Sequence, residues 1–143
     1  MTGRALGLDP GQRRIGVAVS DLTRTIASPV RYIDIQSDDV VKTLRDICSE
    51  YEVVVVVVGL PISLDGSEGP SAKAAREFAE VVGDATGLEV EFQDERFTST
   101  TAEALLIEGG VSRKLRKEKR DQIAAAVMLQ SFLDKRSHYE QEQ

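Results

Sequence analysis

The chain has 143 residues, 41% hydrophobic and 29% charged, with a formal net charge of −6 and a single cysteine, Cys48. That length suits one domain with a sizeable core, and the composition excludes a disordered or collagen-like chain. The unbroken apolar runs, Val53 to Val58 among them, are far too short to cross a bilayer, so no membrane partner is expected. Arg4 interrupts the N-terminus and no small-residue cleavage site follows an apolar stretch, so no signal peptide is expected. One cysteine on the apolar side of a helical pattern fits a reducing cytoplasm and a small core residue. The negative total argues against nucleic acid, yet "RKLRKEKR", residues 113–120, is strongly basic. Local field matters more to a polyanion than the sum does.

In chain order, Ala5 to Asp9 and Ile15 to Ser20 read as two strands joined by the turn DPGQRR. A third strand spans roughly Ile26 to Ile35. A helix from about Asp38 to Tyr51 places Val40, Leu44, Ile47, Cys48 and Tyr51 on one face. The valines from 53 to 58 show no alternation, which marks a strand covered on both faces and parallel to a neighbour. The Gly- and Pro-rich stretch "GLPISLDGSEGP", residues 59–70, reads as a functional or mobile loop. Pro70 suits the first turn of a second helix running to about Asp84. Leu88 to Gln93 forms a fifth strand, ending in Asp94, Glu95 and Arg96. Thr100 with Glu103 fits a capping box for a helix ending at Gly109 and Gly110. After the basic segment, Asp121 is expected to open a last, largely buried helix, "QIAAAVMLQSFL". One domain over residues 1–137 and a frayed tail over 138–143 are expected.

Three antiparallel strands followed by βα units make an α/β protein, a mixed five-stranded sheet with helices on both faces. That order resembles the ribonuclease H-like fold. A dinucleotide-binding fold instead requires a Gly-rich turn entering a helix after its first strand, whereas DPGQRRIG enters a second strand.

Within such a sheet the acids carry the chemistry. Asp9 ends the first strand, Asp94 and Glu95 end the fifth, and Asp121 starts the last helix. Carboxylates converging at one sheet edge repel unless a cation lies between them. Magnesium or manganese takes oxygen ligands of this kind. Two such ions about 4 Å apart activate water and stabilise the leaving oxygen of a phosphodiester. In that arrangement Asp9 would bridge the ions, with Glu95 and Asp121 expected to complete the shells. Each acid also has a plainer role: Asp9 as a turn cap, Asp121 as a helix N-cap, and Glu95 as the ion-pair partner of Arg96. Arg13 and Arg14 follow Asp9, and Arg113, Lys114, Arg116, Lys117, Lys119 and Arg120 precede Asp121. With Arg96 they form a candidate phosphate-contacting rim whose binding is salt dependent. With four Phe, three Tyr and no Trp, a base-stacking platform is not expected.

Four motifs in order carry a resemblance: Asp9-x-Gly11 with Arg14-Ile15-Gly16-Val17-Ala18 and Ser20-Asp21; Val58-Gly59-Leu60-Pro61 with Asp65-Gly66; Asp94-Glu95-Arg96 with Thr98; and Asp121 before Ala124-Ala125. From Leu6 to Leu133 the sequence resembles the YqgF/RuvX family of Holliday-junction resolvase-like proteins and pre-16S ribosomal RNA nucleases. The resemblance implies a divalent-metal nuclease that trims the 5′ end of the small-subunit ribosomal RNA precursor in the bacterial cytoplasm. Asp9, Glu95 and Asp121 match its acids. Ser99 stands where the family commonly has a second threonine. Resolvases of the RuvC type place an acid at the end of the fourth strand, where this chain has Gly59-Leu60. The partners expected are a structured RNA, such as that precursor, or branched DNA, met by a monomer or weak homodimer. Alternative readings are a dimeric junction resolvase and a non-catalytic RNA-binding or ribosome-assembly factor. An actin-like ATPase hairpin resembles DPGQRRIGVA, but it needs a second domain, which is not expected within 143 residues.

Overall fold

The computed structural model describes residues 2–95 and 113–142, with side chains of the second stretch described over 119–136. Arg96 and the helix expected over Thr100 to Gly109 lie outside the described residues, as do the side chains of Arg113, Lys114, Arg116 and Lys117.

The elements follow as β1 (Arg4–Pro10), β2 (Arg14–Ser20), β3 (Ala27–Asp34), α1 (Val40–Glu50), β4 (Val53–Leu60), α2 (Pro70–Thr86), β5 (Glu89–Asp94) and α3 (Arg113–Glu142). They build a five-stranded sheet in the order β3-β2-β1-β4-β5. The first three strands pair antiparallel, while β4 lies parallel to both β1 and β5. The valine run thus occupies the position its lack of alternation called for, between two parallel neighbours. Gly59 and Leu60, read from sequence as loop, extend β4. At the other side, β3 is an edge strand and carries Pro29, whose missing N–H such a strand tolerates. The register of β2 against β3 slips beside it, between Val17 and Ala18.

Both faces of the sheet are covered. Leu6, Leu8, Val17, Val56 and Val58 pack with Leu44 and Ile47 of α1 and Ala79 and Val82 of α2. Ala5, Ala18 and Val57 face the other way, onto Ala125, Met128, Leu129 and Leu133 of α3. Each large side chain so buried contributes about 1.5–3 kcal/mol. Asp39 caps α1 by accepting from the Lys42 N–H, and Pro70 stands at the start of α2 as its fixed φ favours.

The face under α3 is lined by small residues, and this sets how close the helix comes. A Cβ on Gly7 would stand 2.8 Å from the Leu129 Cβ. One on Gly16 would collide with the Asp121 carbonyl oxygen and stand 2.6 Å from its carbon. Only glycine permits that approach of helix backbone to strand.

One expectation about this helix is corrected. Asp121 does not open it: α3 begins at Arg113, so Asp121 sits about two turns inside. The basic segment contains Lys, Arg, Leu and Glu, all good helix formers, with neither Pro nor Gly to stop the helix. The helical backbone also continues through Glu142, across most of the stretch assigned to a frayed tail.

Candidate active site

Asp9, Gly59 and Glu95 gather at the carboxyl ends of the three parallel strands. Alternation places Asp9 on the same face as Ala5 and Gly7, the face that α3 covers. Glu95 lies just past β5, with its backbone N–H donating to the Leu60 carbonyl at 3.2 Å. Its side chain turns back to Asp9, and the two carboxyl groups share a hydrogen bond.

Two half-buried carboxyls so close do not both ionise. Burial, first of all, then the hydrogen bond to Asp9 and the charges of Asp9 and Asp94 push Glu95 up to about 9. Burial also raises Asp9, opposed by the hydrogen bond from Glu95 and assisted by the charge of Asp121. Near neutral pH, Glu95 therefore keeps its proton and donates it to the Asp9 carboxylate. Glu95, immediately past β5, is in contact with Asp9.

Asp121 is near enough for its charge to act on Asp9, but it faces Arg14. The Arg14 Nη1 lies 3.8 Å from the Asp121 Oδ2, and its guanidinium stacks 4.7 Å from the centre of the Tyr32 ring. Among the described residues no three His, Cys, Asp or Glu side chains form a ready-made metal cage. The three predicted acids arrive as a hydrogen-bonded pair and a third group held to one side.

The pair fits a divalent cation on its donor chemistry. Half-buried oxygen donors this close tolerate each other through a shared proton, and a hard cation answers the same need with more charge.

The basic rim is partly committed. Arg13 lies 3.9 Å from Asp34 and Arg14 is engaged as described, while Lys119 and Arg120 are exposed on α3 immediately before Asp121. Tyr32 escaped the sequence reading, and Gly16 entered it only as a motif residue, without its packing role. A glycine inside a strand pattern is a signal of close backbone approach, but Tyr32 carried no signal. Ser20 and Asp21, singled out as a motif, have structural roles. The Ser20 hydroxyl accepts from the Ala5 N–H at 2.8 Å. Asp21 accepts from the Thr25 and Ile26 N–H groups and the Thr23 hydroxyl, organising the β2–β3 turn. Asp65 likewise accepts from both the N–H and the hydroxyl of Ser67.

Comparison with known proteins agrees with this architecture. The chain is 47% identical over 135 residues to a protein of Leuconostoc citreum (strain KM20), covering 92% of this chain and 94% of the other. It is 45% identical over 134 residues to one of Myxococcus xanthus (strain DK1622), covering 92% and 87%. Both bear the name "Putative pre-16S rRNA nuclease". Among solved structures, T. thermophilus RuvC in complex with Holliday junction substrate superposes with a TM-score of 0.57 at 16% identity, over 94% of this chain and 96% of that one. The large terminase nuclease from thermophilic phage G20c gives 0.55 at 15% identity, over 91% and 82%. These two likenesses concern the fold, which is the ribonuclease H-like fold that the order of elements indicated. The family described as RuvX: Holliday junction resolvase matches residues 3–135, and the chain belongs to it.

Proposed function

We propose that this protein is a divalent-metal-dependent nuclease that hydrolyses phosphodiester bonds in structured RNA, with the precursor of 16S ribosomal RNA as substrate. The observation that carries the reading is the meeting of the Asp9 and Glu95 carboxyls at the carboxyl edge of the sheet. The names of relatives at 45% and 47% identity support the substrate.

Asp9 and Glu95 would hold magnesium or manganese, with Asp121 contributing from the side held by Arg14. When bound, such a cation activates a water for attack and stabilises the leaving oxygen. The chain's own groups do the rest. The tether of Glu95 to Leu60 fixes the approach of its carboxyl to Asp9. Arg13, Arg14, Lys119 and Arg120 would neutralise the phosphates of the substrate, with Arg96, Arg113, Lys114, Arg116 and Lys117 assigned to the same role from sequence. Contact through backbone charge makes affinity fall steeply with salt, and recognition then rests on the shape of the RNA more than on its bases.

The test is cleavage of an end-labelled 16S precursor beside a four-way DNA junction, in magnesium, manganese and EDTA, by the wild type and by Asp9→Asn. Metal-dependent cutting of the RNA that disappears in the variant is expected. Preferential cutting of the junction moves the substrate to branched DNA. Equal binding by both proteins without cutting overturns the nuclease reading in favour of an RNA-binding scaffold.

A further inference from the structure

The sheet order raises a geometric difficulty. Asp9 belongs to β1 and Glu95 follows β5, and β4 runs between those strands. Neighbouring strands lie about 4.8 Å apart, so the two carboxyls come from main chains separated by two strand spacings. They can meet only over the strand between them.

The residue of β4 at that crossing is Gly59. It follows Val58, the partner of Leu8, and pairs with Gln93 on β5. It is therefore level with Asp9 on one side and just before Glu95 on the other. A Cβ built on Gly59 would stand 2.5 Å from the Glu95 Oε2, 3.0 Å from the Glu95 Cδ and 3.5 Å from the Asp9 Oδ1. Its three nearest atoms all belong to the two carboxyl groups, none to backbone. We infer that Gly59 is the positioning residue of this site: its missing side chain is the gap through which Glu95 reaches Asp9.

This inference rests on the metal-site reading above for its consequence, though not for its geometry. An alanine at 59 meets no backbone obstacle, so the sheet accepts it. The clash falls on the far end of Glu95, whose own backbone is fixed to Leu60. The side chain alone yields, and it yields away from Asp9.

The experiment compares Gly59→Ala, Glu95→Ala and the double variant with the wild type. It reads crystal structures and manganese titration by calorimetry. Gly59→Ala is expected to fold, to show Glu95 detached from Asp9, and to lose manganese affinity by about tenfold to a hundredfold, the range for groups that orient metal ligands. In the Glu95→Ala background the same change is expected to cost nothing further, since no carboxyl remains to displace. A Glu95 still against Asp9 in Gly59→Ala, or an equal added loss in both backgrounds, overturns the inference. If Gly59→Ala does not fold, a folded double variant still supports it, because the clash then lay with Glu95, and two unfolded variants overturn it. Manganese binding unaffected by Glu95→Ala would sink the metal reading alone, and the Glu95–Asp9 distance in Gly59→Ala would still decide the role of Gly59.

Discussion

Arg14 holds Asp121 at 3.8 Å while its guanidinium rests on Tyr32, so the one site acid on a helix is oriented from the first hairpin. Gly16 pairs with Tyr32 and Arg14 with Asp34 across β2 and β3. Arg14 and Tyr32 are therefore diagonal neighbours on the face α3 covers. An ion pair this exposed contributes about 0–1 kcal/mol to folding. Arg14→Ala is thus expected to melt close to the wild type yet lose about tenfold or more in cleavage, as removal of an orienting group does. Arg14→Lys is expected to recover little, because an ammonium keeps the charge without the planar stack. Paired melting curves and cleavage rates check both statements.

Glu95→Gln preserves an N–H donor toward Asp9 and removes a group that burial keeps protonated. The metal-free variant is expected to be at least as stable as the wild type. Manganese at about a hundred times its Kd stabilises a protein by about 2.7 kcal/mol. The wild type is expected to show that rise in melting temperature and Glu95→Gln to lack most of it, in scans with and without the ion.

Gly16→Ala directs a methyl group at the Asp121 backbone. No rotamer change relieves a clash between two main chains, so α3 must lift from the sheet. The expected cost is about 1–3 kcal/mol or more in urea unfolding, together with loss of cleavage because Asp121 moves with the helix. Ala18, which packs under α3 through its own methyl, is the control: Ala18→Gly weakens folding but leaves Asp121 in place.

Asp21 gives a pH dependence unconnected with the site. The Thr25 N–H, then the Ile26 N–H and the Thr23 hydroxyl, hold its carboxyl down at about 2 from an ordinary 3.8. A depressed acid favours the folded state above its unfolded value and loses that contribution as pH falls toward its folded one. Acid titration of stability between pH 4 and 2 is expected to be shallower in Asp21→Asn than in the wild type.

The succession of elements was legible because the local signals agreed: two apolar runs joined by a short turn, an unbroken valine strand and turn residues between them. Asp9 and Glu95 were legible as acids ending apolar runs. The start of α3 was not, since a charged run of good helix formers looks the same whether it precedes a helix or belongs to one. Asp121 has the residue type of an N-cap but stands two turns inside, and only the packing of α3 on Gly16 distinguishes the two. Gly59 read as the first residue of a loop because the next two turn signals, Pro61 and Gly66, pulled the boundary back. Its meaning depends on which strands flank β4, a fact about the sheet and not about the neighbours in sequence.

The helix α3 is fastened again far from the acids. Gln130 accepts from the Ala27 N–H at 2.8 Å and donates to the Thr25 carbonyl at 2.9 Å, and Arg136 reaches Glu91 on β5 at 2.9 Å. From Asp121 to Arg136 the helix spans about 22 Å. It is thus held at both limits of that span, over a bed of small residues. The tilt that aims Asp121 is therefore set in part by the β2–β3 turn at the opposite rim, and a change at Gln130 reaches the acids by leverage, without touching any of them.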